Sequence, residues 1–309
     1  MGSDNISIKA AVIGAGRIGM SLEVDPKRVK PATHFGMWLL HPRAELVAVC
    51  DADEDKLVTA KSMKPSIQTY TKAKNLLTNV KPDIVSIATW RDSHVEMMDL
   101  AMDYDVPVII CEKPISENVS DAKKIVERAK KNGTHLIINH RRRFDPLLDD
   151  LKTDFQTGKF GEITQVSASY VYGLMTTGTH LIDTLRHLLI DTAGDIVWVR
   201  GFANQFDCFA PGDDPCVDGV LGFESGLRAS IQSLNIKDYD IFDFRFYGRK
   251  AMVHFHGIGR NIDIYAVKES PEHDGFTELA DQSSDSRGGA PRDLFGNLAD
   301  NAIGCFNGL

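Results

Sequence analysis

The sequence predicts an α/β protein, in which a doubly wound parallel sheet precedes an α/β domain with a large open, mostly antiparallel sheet. In the first half of the chain, strand segments that are apolar on both faces alternate with helical segments of roughly 10–15 residues, which is typical of parallel strands covered by helices. In the second half, several strand segments alternate apolar with polar residues, as in a sheet that buries one face. The pattern changes after Arg143, and we assign residues 1–141 to the first domain and 142–309 to the second.

The first strand segment ends in a glycine-rich turn over residues 14–19, Gly-Ala-Gly-Arg-Ile-Gly. Gly14 permits a tight turn, Gly16 lets backbone N–H groups approach a pyrophosphate, and Gly19 lets a following helix pack close to the strand. A diphosphate would lie at the N-terminus of that helix, where free N–H groups favour negative charge. Because the turn directly follows a strand, the sequence predicts dinucleotide binding rather than a purely structural turn.

An acidic residue, Asp51, ends the second strand segment (residues 46–50). A carboxylate at this place can accept both hydroxyls of the adenosine ribose and repel a 2′-phosphate, so it favours NAD over NADP. The alternative is that Asp51 caps a helix. Prolines interrupt the helix expected after the glycine turn, which predicts an inserted loop over residues 22–31. Lys27 and Arg28 in this loop could weaken the preference for NAD if they cover the ribose.

The remaining segments of the first domain continue the alternation. Helices are predicted over residues 53–62, 73–79, 93–104 and 119–132, and strands over 67–70, 83–89, 106–111 and 135–139. In such a sheet, ligands bind beyond the carboxyl ends of the strands. Polar or glycine residues follow five of these ends, at residues 14–19, 51, 88–89, 112–114 and 139–140, as a cofactor crevice requires.

The second domain is predicted to contain one sheet and two helices. The helices cover residues 144–157 and 179–189, and the strands cover 163–172, 196–206, 219–223, 227–235, 240–247, 252–256 and 261–267. Residues 269–291 are polar and predict a long loop. We expect a partner subunit to cover the open face of the sheet. The sequence stops within what looks like a connection, so we expect a further C-terminal segment to be absent from it.

Lys113 is the first candidate for chemistry. It follows a buried strand segment and precedes Pro114, which disfavours the helical conformation at Lys113. We expect its side chain to reach the crevice where a nicotinamide would lie. There, desolvation could lower the pKa of the amine, or its charge could stabilise a developing alkoxide. The alternative is an exposed lysine that pairs with Glu112.

A second group lies on the helix that begins near residue 178. His180, Asp183 and His187 share one face of this helix, and Thr176 precedes it. Histidine is the usual general base for a hydroxyl proton near neutral pH, so His180 is a candidate base. His187 lies among leucines and is interpreted as a packing residue. Zinc binding by His180, Asp183 and His187 is an alternative, but no fourth ligand is identifiable and we expect no metal.

A third group is the arginine run at residues 141–143, which follows the last strand segment of the first domain. These arginines could bind a phosphate, a carboxylate or the cofactor amide. Alternatively, they form salt bridges with the acidic residues that follow, Asp145, Asp149 and Asp150.

The composition excludes some classes of function. The 309 residues have a formal net charge of −8, which argues against a nucleic-acid surface as the main function. The odd number of cysteines without CxxC spacing predicts no disulfide framework and a reducing, cytoplasmic location. We also expect no signal peptide and no membrane segment. The cysteines are Cys50, Cys111, Cys208, Cys216 and Cys305.

Taken together, these motifs resemble the glucose-fructose oxidoreductase/inositol dehydrogenase/rhizopine-catabolism (Gfo/Idh/MocA) family. The resemblance covers nearly the whole chain, and the motifs follow one another in the family's order. They are Gly14–Gly19, Ala88-Thr89 with His94, Glu112-Lys113-Pro114, Asn139 with Arg143-Phe144 and Pro146, and Gly178-Thr179-His180 with Asp183.

The resemblance implies a Rossmann domain followed by a C-terminal α/β domain whose sheet assembles dimers or tetramers. It also implies NAD(P)-dependent oxidation of a secondary hydroxyl on a sugar, inositol or nucleotide sugar. It implies that Lys113 is the catalytic lysine and His180 the acid/base. The candidate substrate-binding residues are Thr176, Asp183 and Arg142. The candidate cofactor-binding residues are Gly14, Gly16, Arg17, Ile18, Gly19, Asp51, Ala88, Thr89, His94, Glu112 and Lys113.

Two features depart from the family pattern. Many members carry Asp four residues before the histidine, where this chain has Thr176, and the 22–31 insertion is additional. A hydroxyl can hydrogen-bond a substrate or the histidine but cannot hold a negative charge. Two other functions therefore stay open, an NAD-dependent glycosidase that uses transient oxidation and elimination, and a non-catalytic NAD-binding regulator.

Overall fold

The structure, a computed structural model, describes residues 8–204, 209–210 and 212–308. The chain divides into two compact units. The first unit runs to Phe144 and also contains the chain from Asp293 onward, and the second unit covers Asp145–Arg292. The first junction lies close to the boundary expected after residue 141, whereas the C-terminal residues belong to the first unit rather than to the second.

The first unit is built on a parallel sheet with the strand order β3-β2-β1-β4-β5-β6. Its strands are β1 (Ile8–Ile13), β2 (Ala44–Cys50), β3 (Gln68–Tyr70), β4 (Ile84–Ile87), β5 (Val108–Cys111) and β6 (His135–Ile138). Its helices are α1 (His34–Leu40), α2 (Glu54–Met63), α3 (Ala73–Val80), α4 (His94–Asp103) and α5 (Val119–Asn132). The strand order reverses between β1 and β4, which is where such sheets bind ligands. The predicted doubly wound sheet is confirmed.

A loop follows the glycine turn instead of a long helix. A short 3-10 helix covers Ser21–Val24, and α1 begins only at His34. The Glu23 carboxylate accepts hydrogen bonds from Ala32 N (2.9 Å) and Thr33 Oγ1 (2.7 Å), which fastens this loop to the start of α1. The structure therefore contains the predicted insertion.

The C-terminal residues form a helix and not a connection. This helix, α8 (Leu294–Phe306), buries its apolar side chains in the core that surrounds Trp38. Asn297 Nδ2 also donates to the Phe144 carbonyl oxygen at 2.9 Å. Because the apolar face of α8 is covered by the first unit, the domain assignment of residues 293–309 made from the sequence differs from the structure.

The second unit contains a mostly antiparallel sheet and two helices, as predicted. The helices are α6 (Pro146–Gln156) and α7 (Thr179–Ala193). The strands are β7 (Ile163–Val171), β8 (Ile196–Ala203), β9 (Val217–Phe223), β10 (Arg228–Leu234), β11 (Phe242–Gly248), β12 (Ala251–His256), β13 (Asn261–Glu269), β14 (Thr277–Leu279) and β15 (Asp285–Gly288). Their order is β14-β13-β12-β11-β7-β10-β9-β8, with β15 also paired to β13, and only the described pair β7–β10 is parallel.

One face of this sheet packs against α6 and α7. Phenylalanines of β11 and β12 alternate with polar residues and are buried together with the leucines of both helices. The segment 269–291, predicted as a loop, contributes the short strands β14 and β15, because its backbone pairs with β13. The final residues of the strand predicted over 196–206 lie outside the described residues.

The cysteines differ from the expectation that no disulfide forms. Cys216 is disulfide-bonded, and Cys208 lies outside the described residues. Cys50, Cys111 and Cys305 are free thiols. Burial raises the pKa of Cys50 to about 12, so this thiol stays protonated and behaves as an apolar side chain. None of the helices in the described ranges combines the length and the apolarity needed to span a bilayer.

Candidate functional site

The glycine-rich turn packs directly against the segment that follows β4. Gly14 has a φ of 97°, and a Cβ at this residue would lie 2.6 Å from the carbonyl carbon and oxygen of Ala88. A Cβ at Gly19 would collide with the carbonyl oxygen of Gly14. Both positions therefore require glycine for steric reasons.

Gly16 differs from its neighbours because a Cβ there would meet nothing within 4 Å. Among the described residues, the N–H groups of Gly16, Arg17 and Ile18 donate to no other group, whereas those of Ala15 and Met20 are hydrogen-bonded. Open space in front of unsatisfied backbone donors is what a phosphate group requires. The turn thus fits the pyrophosphate of a dinucleotide.

Two carbonyl oxygens of the turn accept hydrogen bonds from the start of α1. The N–H groups of His34 and Phe35 donate to the carbonyl oxygens of Ile18 (3.1 Å) and Gly19 (2.8 Å). The sequence predicts an interrupted helix after the turn with the diphosphate at its N-terminus; in the structure only the 3-10 helix Ser21–Val24 precedes the insertion, and α1 begins at His34. The N–H groups of the turn itself remain available to phosphate oxygens.

Asp51 lies at the carboxyl end of β2 and is bonded to the glycine turn. Its Oδ2 accepts from Ala15 N at 2.7 Å, and its Oδ1 accepts from Asp53 N at 3.0 Å. Lys56 Nζ lies 3.3 Å from Oδ1. The N-cap of α2 is Asp53, so the alternative role of Asp51 as this helix cap does not hold. In the 22–31 loop, Arg28 pairs with Asp25.

His94 connects the loops that follow β4 and β5 through its two ring nitrogens. The side chain is buried, and its Nδ1 lies 2.7 Å from the Pro114 carbonyl oxygen while its Nε2 lies 3.2 Å from that of Thr89. Thr89 Oγ1 accepts from Ser93 Oγ at 2.8 Å. Because both ring nitrogens of His94 face carbonyl oxygens, this residue positions the two loops, and its role in cofactor binding stays a prediction.

Glu112, which follows β5, belongs to a buried polar cluster. Its Oε1 accepts from His34 Nε2 at 3.0 Å and from Asn139 Nδ2 at 2.6 Å. All three side chains are buried. Burial alone would raise the pKa of Glu112, but the hydrogen bonds and charge of His34, the hydrogen bond from Asn139 and the charge of Lys113 together lower it. Glu112 is therefore a buried carboxylate, and its Oε1 is committed to protein donors.

Lys113 comes next in the chain and is half-buried. Its charge helps to lower the pKa of Glu112, whose Oε1 accepts from His34 and Asn139. Sequence reasoning overlooked His34 entirely. It lies 78 positions from Glu112 and follows an insertion, so no local spacing connects the two.

In the second unit, Thr176 lies in a π-helical turn, Leu174–Gly178, that leads into α7. A buried carboxylate, Asp214, accepts from Met175 N (2.8 Å), Thr176 N (2.8 Å) and Thr176 Oγ1 (2.6 Å). Asp214 was also missed from the sequence, because an aspartate in a loop before a proline carries no distinctive pattern. The structure thus brings a carboxylate to the position where the sequence lacks one.

His180 and Asp183 lie on α7, one turn apart, and both are half-buried. His187 is farther along the helix, with its Nε2 3.6 Å from Asp149 Oδ1 on α6. Its interpretation as a packing residue is therefore incomplete, because it also faces an acidic partner. The described ranges contain no group of three His, Cys, Asp or Glu side chains that could hold a metal ion.

Arg142 lies in a short 3-10 turn, Arg141–Phe144, and is half-buried. Asp145 was one expected salt-bridge partner of the arginine run. In the structure its Oδ1 caps α6 by accepting from Leu147 N at 3.1 Å, and it lies 2.7 Å from Arg292 Nε. Asp145 is therefore the N-cap of α6.

Residues 8–140 match the oxidoreductase family described as having an NAD-binding Rossmann fold, GFO_IDH_MocA. Over these residues, which are less than half of the chain, the protein is similar to the Gfo/Idh/MocA family. The resemblance that the motifs indicate is thus supported for the first domain. A D-apiose dehydrogenase of Paraburkholderia graminis is 25% identical over 215 residues, which are 64% of this chain and 56% of that protein. The chain thus matches little more than half of this relative's own length.

Two further comparisons extend over more of the chain. A D-glucoside 3-dehydrogenase of Escherichia coli is 24% identical over 278 residues, which are 79% of this chain and 76% of that protein. The WlbA dehydrogenase of Bordetella pertussis, solved with NADH and UDP-GlcNAcA, has a TM-score of 0.77 at 19% identity, over 98% of this chain and 88% of that one. The fold of both units is therefore shared with a solved dehydrogenase structure.

Proposed function

We propose that this protein is an NAD-dependent dehydrogenase that oxidises a secondary hydroxyl of a sugar, a polyol such as inositol, or a nucleotide sugar. The observation that carries the proposal is the glycine turn at the end of β1, where Gly16 faces open space beside unsatisfied N–H groups. The family resemblance and the dehydrogenase names of the relatives support the reaction class.

Each candidate residue has a chemical role in this proposal. A bound nicotinamide dinucleotide would supply the hydride acceptor. His180 would accept the hydroxyl proton, and Lys113 would stabilise negative charge on the substrate oxygen. Thr176, Asp183 and Arg142 would bind the other hydroxyl or acidic groups of the substrate. The assignment of Lys113 and His180 follows from the family motifs that these residues match.

The preference for NAD rests on Asp51. Its carboxylate lies at the end of β2 and would repel a 2′-phosphate while accepting ribose hydroxyls. The ammonium of Lys56 lies near this carboxylate, but it is shared between Asp51 (3.3 Å) and Asp53 (3.6 Å). We therefore propose that NAD binds more tightly than NADP.

The direct test is turnover on a panel of substrates. The panel contains D-apiose, methyl glucosides, myo-inositol and UDP-N-acetylglucosaminuronic acid, each mixed with NAD or NADP, and formation of reduced cofactor is followed by absorbance. We expect turnover by the wild type and a loss of at least about a hundredfold in Lys113→Ala and His180→Asn, since each removes a group placed in proton transfer or charge stabilisation. Undiminished turnover in both variants would overturn the assignment.

The same assay distinguishes the two other functions. A glycosidase that uses transient oxidation would release the aryl group of a nitrophenyl glycoside without accumulating reduced cofactor. A regulator would bind NAD in calorimetry and turn over no member of the panel. The hydrogen bonds that Thr176 donates to Asp214 favour the catalytic proposal, because they bring a carboxylate to the position whose lack of an aspartate supported a regulator.

We further propose that the protein assembles into a homodimer or homotetramer through the open face of the second unit's sheet. Edge strand β8 exposes Val197, Trp198, Val199 and Phe202, more apolar surface than one strand of a monomer usually presents. Light scattering should give a multiple of 34.2 kDa, and Trp198→Glu with Phe202→Glu should reduce it to the mass of one chain. A monomeric wild type would contradict this proposal.

A further inference from the structure

The buried cluster of His34, Glu112 and Asn139 contains one carboxylate, that of Glu112. His34 Nε2 faces Glu112 Oε1 at 3.0 Å, and Asn139 Nδ2 donates to the same oxygen at 2.6 Å. Hydrogen bonds of this kind stabilise the ionised form of a carboxyl group. Glu112 therefore places a negative charge within the buried cluster.

The cluster is also tied to the elements that form the cofactor crevice. His34 N donates to the Ile18 carbonyl of the glycine turn, and Glu112 N donates to the Ile87 carbonyl at the end of β4. Glu112 is the first residue after β5, and Lys113 is the second. The buried charge therefore lies at the carboxyl end of the sheet and is held on both sides by hydrogen bonds.

We propose that Glu112, held by His34 and Asn139, is a positioning residue whose buried negative charge makes the protein bind the oxidised, positively charged nicotinamide dinucleotide in preference to the reduced one. The inference rests on the proposed function, because it requires a nicotinamide cofactor beyond the end of β5. It assigns Glu112 no contact with the cofactor. The charge acts through space in a setting of low polarisability, where such effects are strong.

The neighbouring ammonium does not change the sign of the effect. Lys113 is close enough for its charge to help lower the pKa of Glu112. If Glu112 is made neutral, the charge of Lys113 is no longer offset, and the site becomes more positive. Oxidised cofactor carries one positive charge on its ring that reduced cofactor lacks. Loss of the carboxylate therefore disfavours oxidised relative to reduced cofactor, with or without the ammonium.

The test compares two affinities in one protein and needs no substrate. Calorimetry or fluorescence gives Kd for NAD⁺ and for NADH in the wild type and in Glu112→Gln, which keeps the shape of the side chain. We expect the ratio Kd(NAD⁺)/Kd(NADH) to rise about three- to tenfold in Glu112→Gln, as one charge at several ångströms in a partly screened site implies. If Glu112 had only a structural role, its substitution would weaken the binding of NAD⁺ and NADH equally and leave this ratio unchanged.

Two control variants separate charge from packing. Glu117→Gln removes a carboxylate five residues away whose side chain is 50% exposed, and we expect the ratio to stay unchanged. His34→Gln replaces the imidazole by an amide and keeps the Glu112 charge, so both affinities shift together. His34→Asn/Glu112→Gln is prepared in parallel, since its two amides can hydrogen-bond each other if Glu112→Gln alone does not fold.

Each outcome decides the inference. A ratio that rises in Glu112→Gln and not in Glu117→Gln supports it. Tight binding of both cofactors by the wild type with an unchanged ratio in Glu112→Gln overturns this inference and leaves the proposed function intact. Failure of the wild type to bind either cofactor overturns both.

Discussion

The hydroxyl of Thr176 donates to the buried carboxylate of Asp214 at 2.6 Å, and the backbone N–H of Thr176 donates to the same oxygen at 2.8 Å. These two residues are 38 positions apart and lie within one unit of the protein. Because its proton is committed to Asp214, the Thr176 oxygen can act toward a third group only as an acceptor. Thr176 therefore resembles a carboxylate in one respect: one turn before His180, its oxygen acts only as a hydrogen-bond acceptor.

We predict that Asp214→Asn lowers kcat/KM for the accepted substrate by about tenfold or more and costs about 1–3 kcal/mol of stability, because buried donors lose their acceptor. The dissociation constant of the cofactor should stay unchanged. Asp213→Asn, one residue earlier in the same loop, serves as the control and should have the smaller effect. Steady-state kinetics and thermal melts measure both quantities, and equal effects of the two variants would contradict the prediction.

Substitution at Gly16 should separate binding from folding. A Cβ at Gly16 meets nothing within 4 Å, so Gly16→Ala should melt within about 2 °C of the wild type, a surface-like change. Its Kd for NAD should rise by about tenfold or more, because the methyl group occupies the approach of the phosphates.

The matched variant is Gly19→Ala, in which the new Cβ collides with the Gly14 carbonyl. We expect it to lose about 1–3 kcal/mol of stability or to fail to fold, as overpacked sites do. If Gly16→Ala binds NAD normally, the glycine turn does not hold the phosphates.

Removal of the Asp51 carboxylate should change cofactor preference and stability together. We expect Asp51→Ser to improve the ratio of NADP to NAD affinity by about tenfold, because the repulsion of a 2′-phosphate is lost. The Ala15 and Asp53 N–H groups would also lose their acceptor, at a cost of about 1–2 kcal/mol. Calorimetry with NAD and NADP measures the cofactor preference, and a urea melt measures the stability. An unchanged preference would mean that residues other than Asp51 distinguish NAD from NADP.

The C-terminal helix should be required for the stability of the first unit. Leu298 on α8 is fully buried in the core around Trp38, so Leu298→Ala should cost about 2–5 kcal/mol. Asn301→Ala, on the exposed side of the same helix, should change stability by less than about 0.5 kcal/mol. Denaturant melts compare the two, and a similar loss in both would show that α8 does not pack as described.

Glu112 should contribute a pH-dependent part of the stability. Its folded-state pKa is lowered, so the stabilisation is present above the ordinary pKa of a glutamate and is lost as the pH falls through the lower, folded-state value. Between about pH 5 and pH 2, the wild type should therefore lose stability more steeply than Glu112→Gln. Urea melts across this range measure the difference, and parallel curves would contradict a lowered pKa.

Much of the first unit could be predicted from the sequence because the signals are local. The strands β1, β2, β4 and β5 are short and mostly apolar runs, and the helix α5 has the predicted bounds of 119–132. Gly133 ends α5 with a φ of 71°, a conformation that glycine adopts at little cost. The position of the glycine turn between β1 and the insertion follows from the same local rules.

The sequence by itself determined the alternation of elements, the glycine turn and the polar residues at the strand ends, since each depends on neighbours along the chain. Only the tertiary structure decided that His34 reaches Glu112 across 78 positions, that Asp214 bonds Thr176, and that the C-terminal helix joins the first unit. These relationships arise when distant segments bury their polar groups and apolar faces against each other, and no local periodicity encodes which segments will meet.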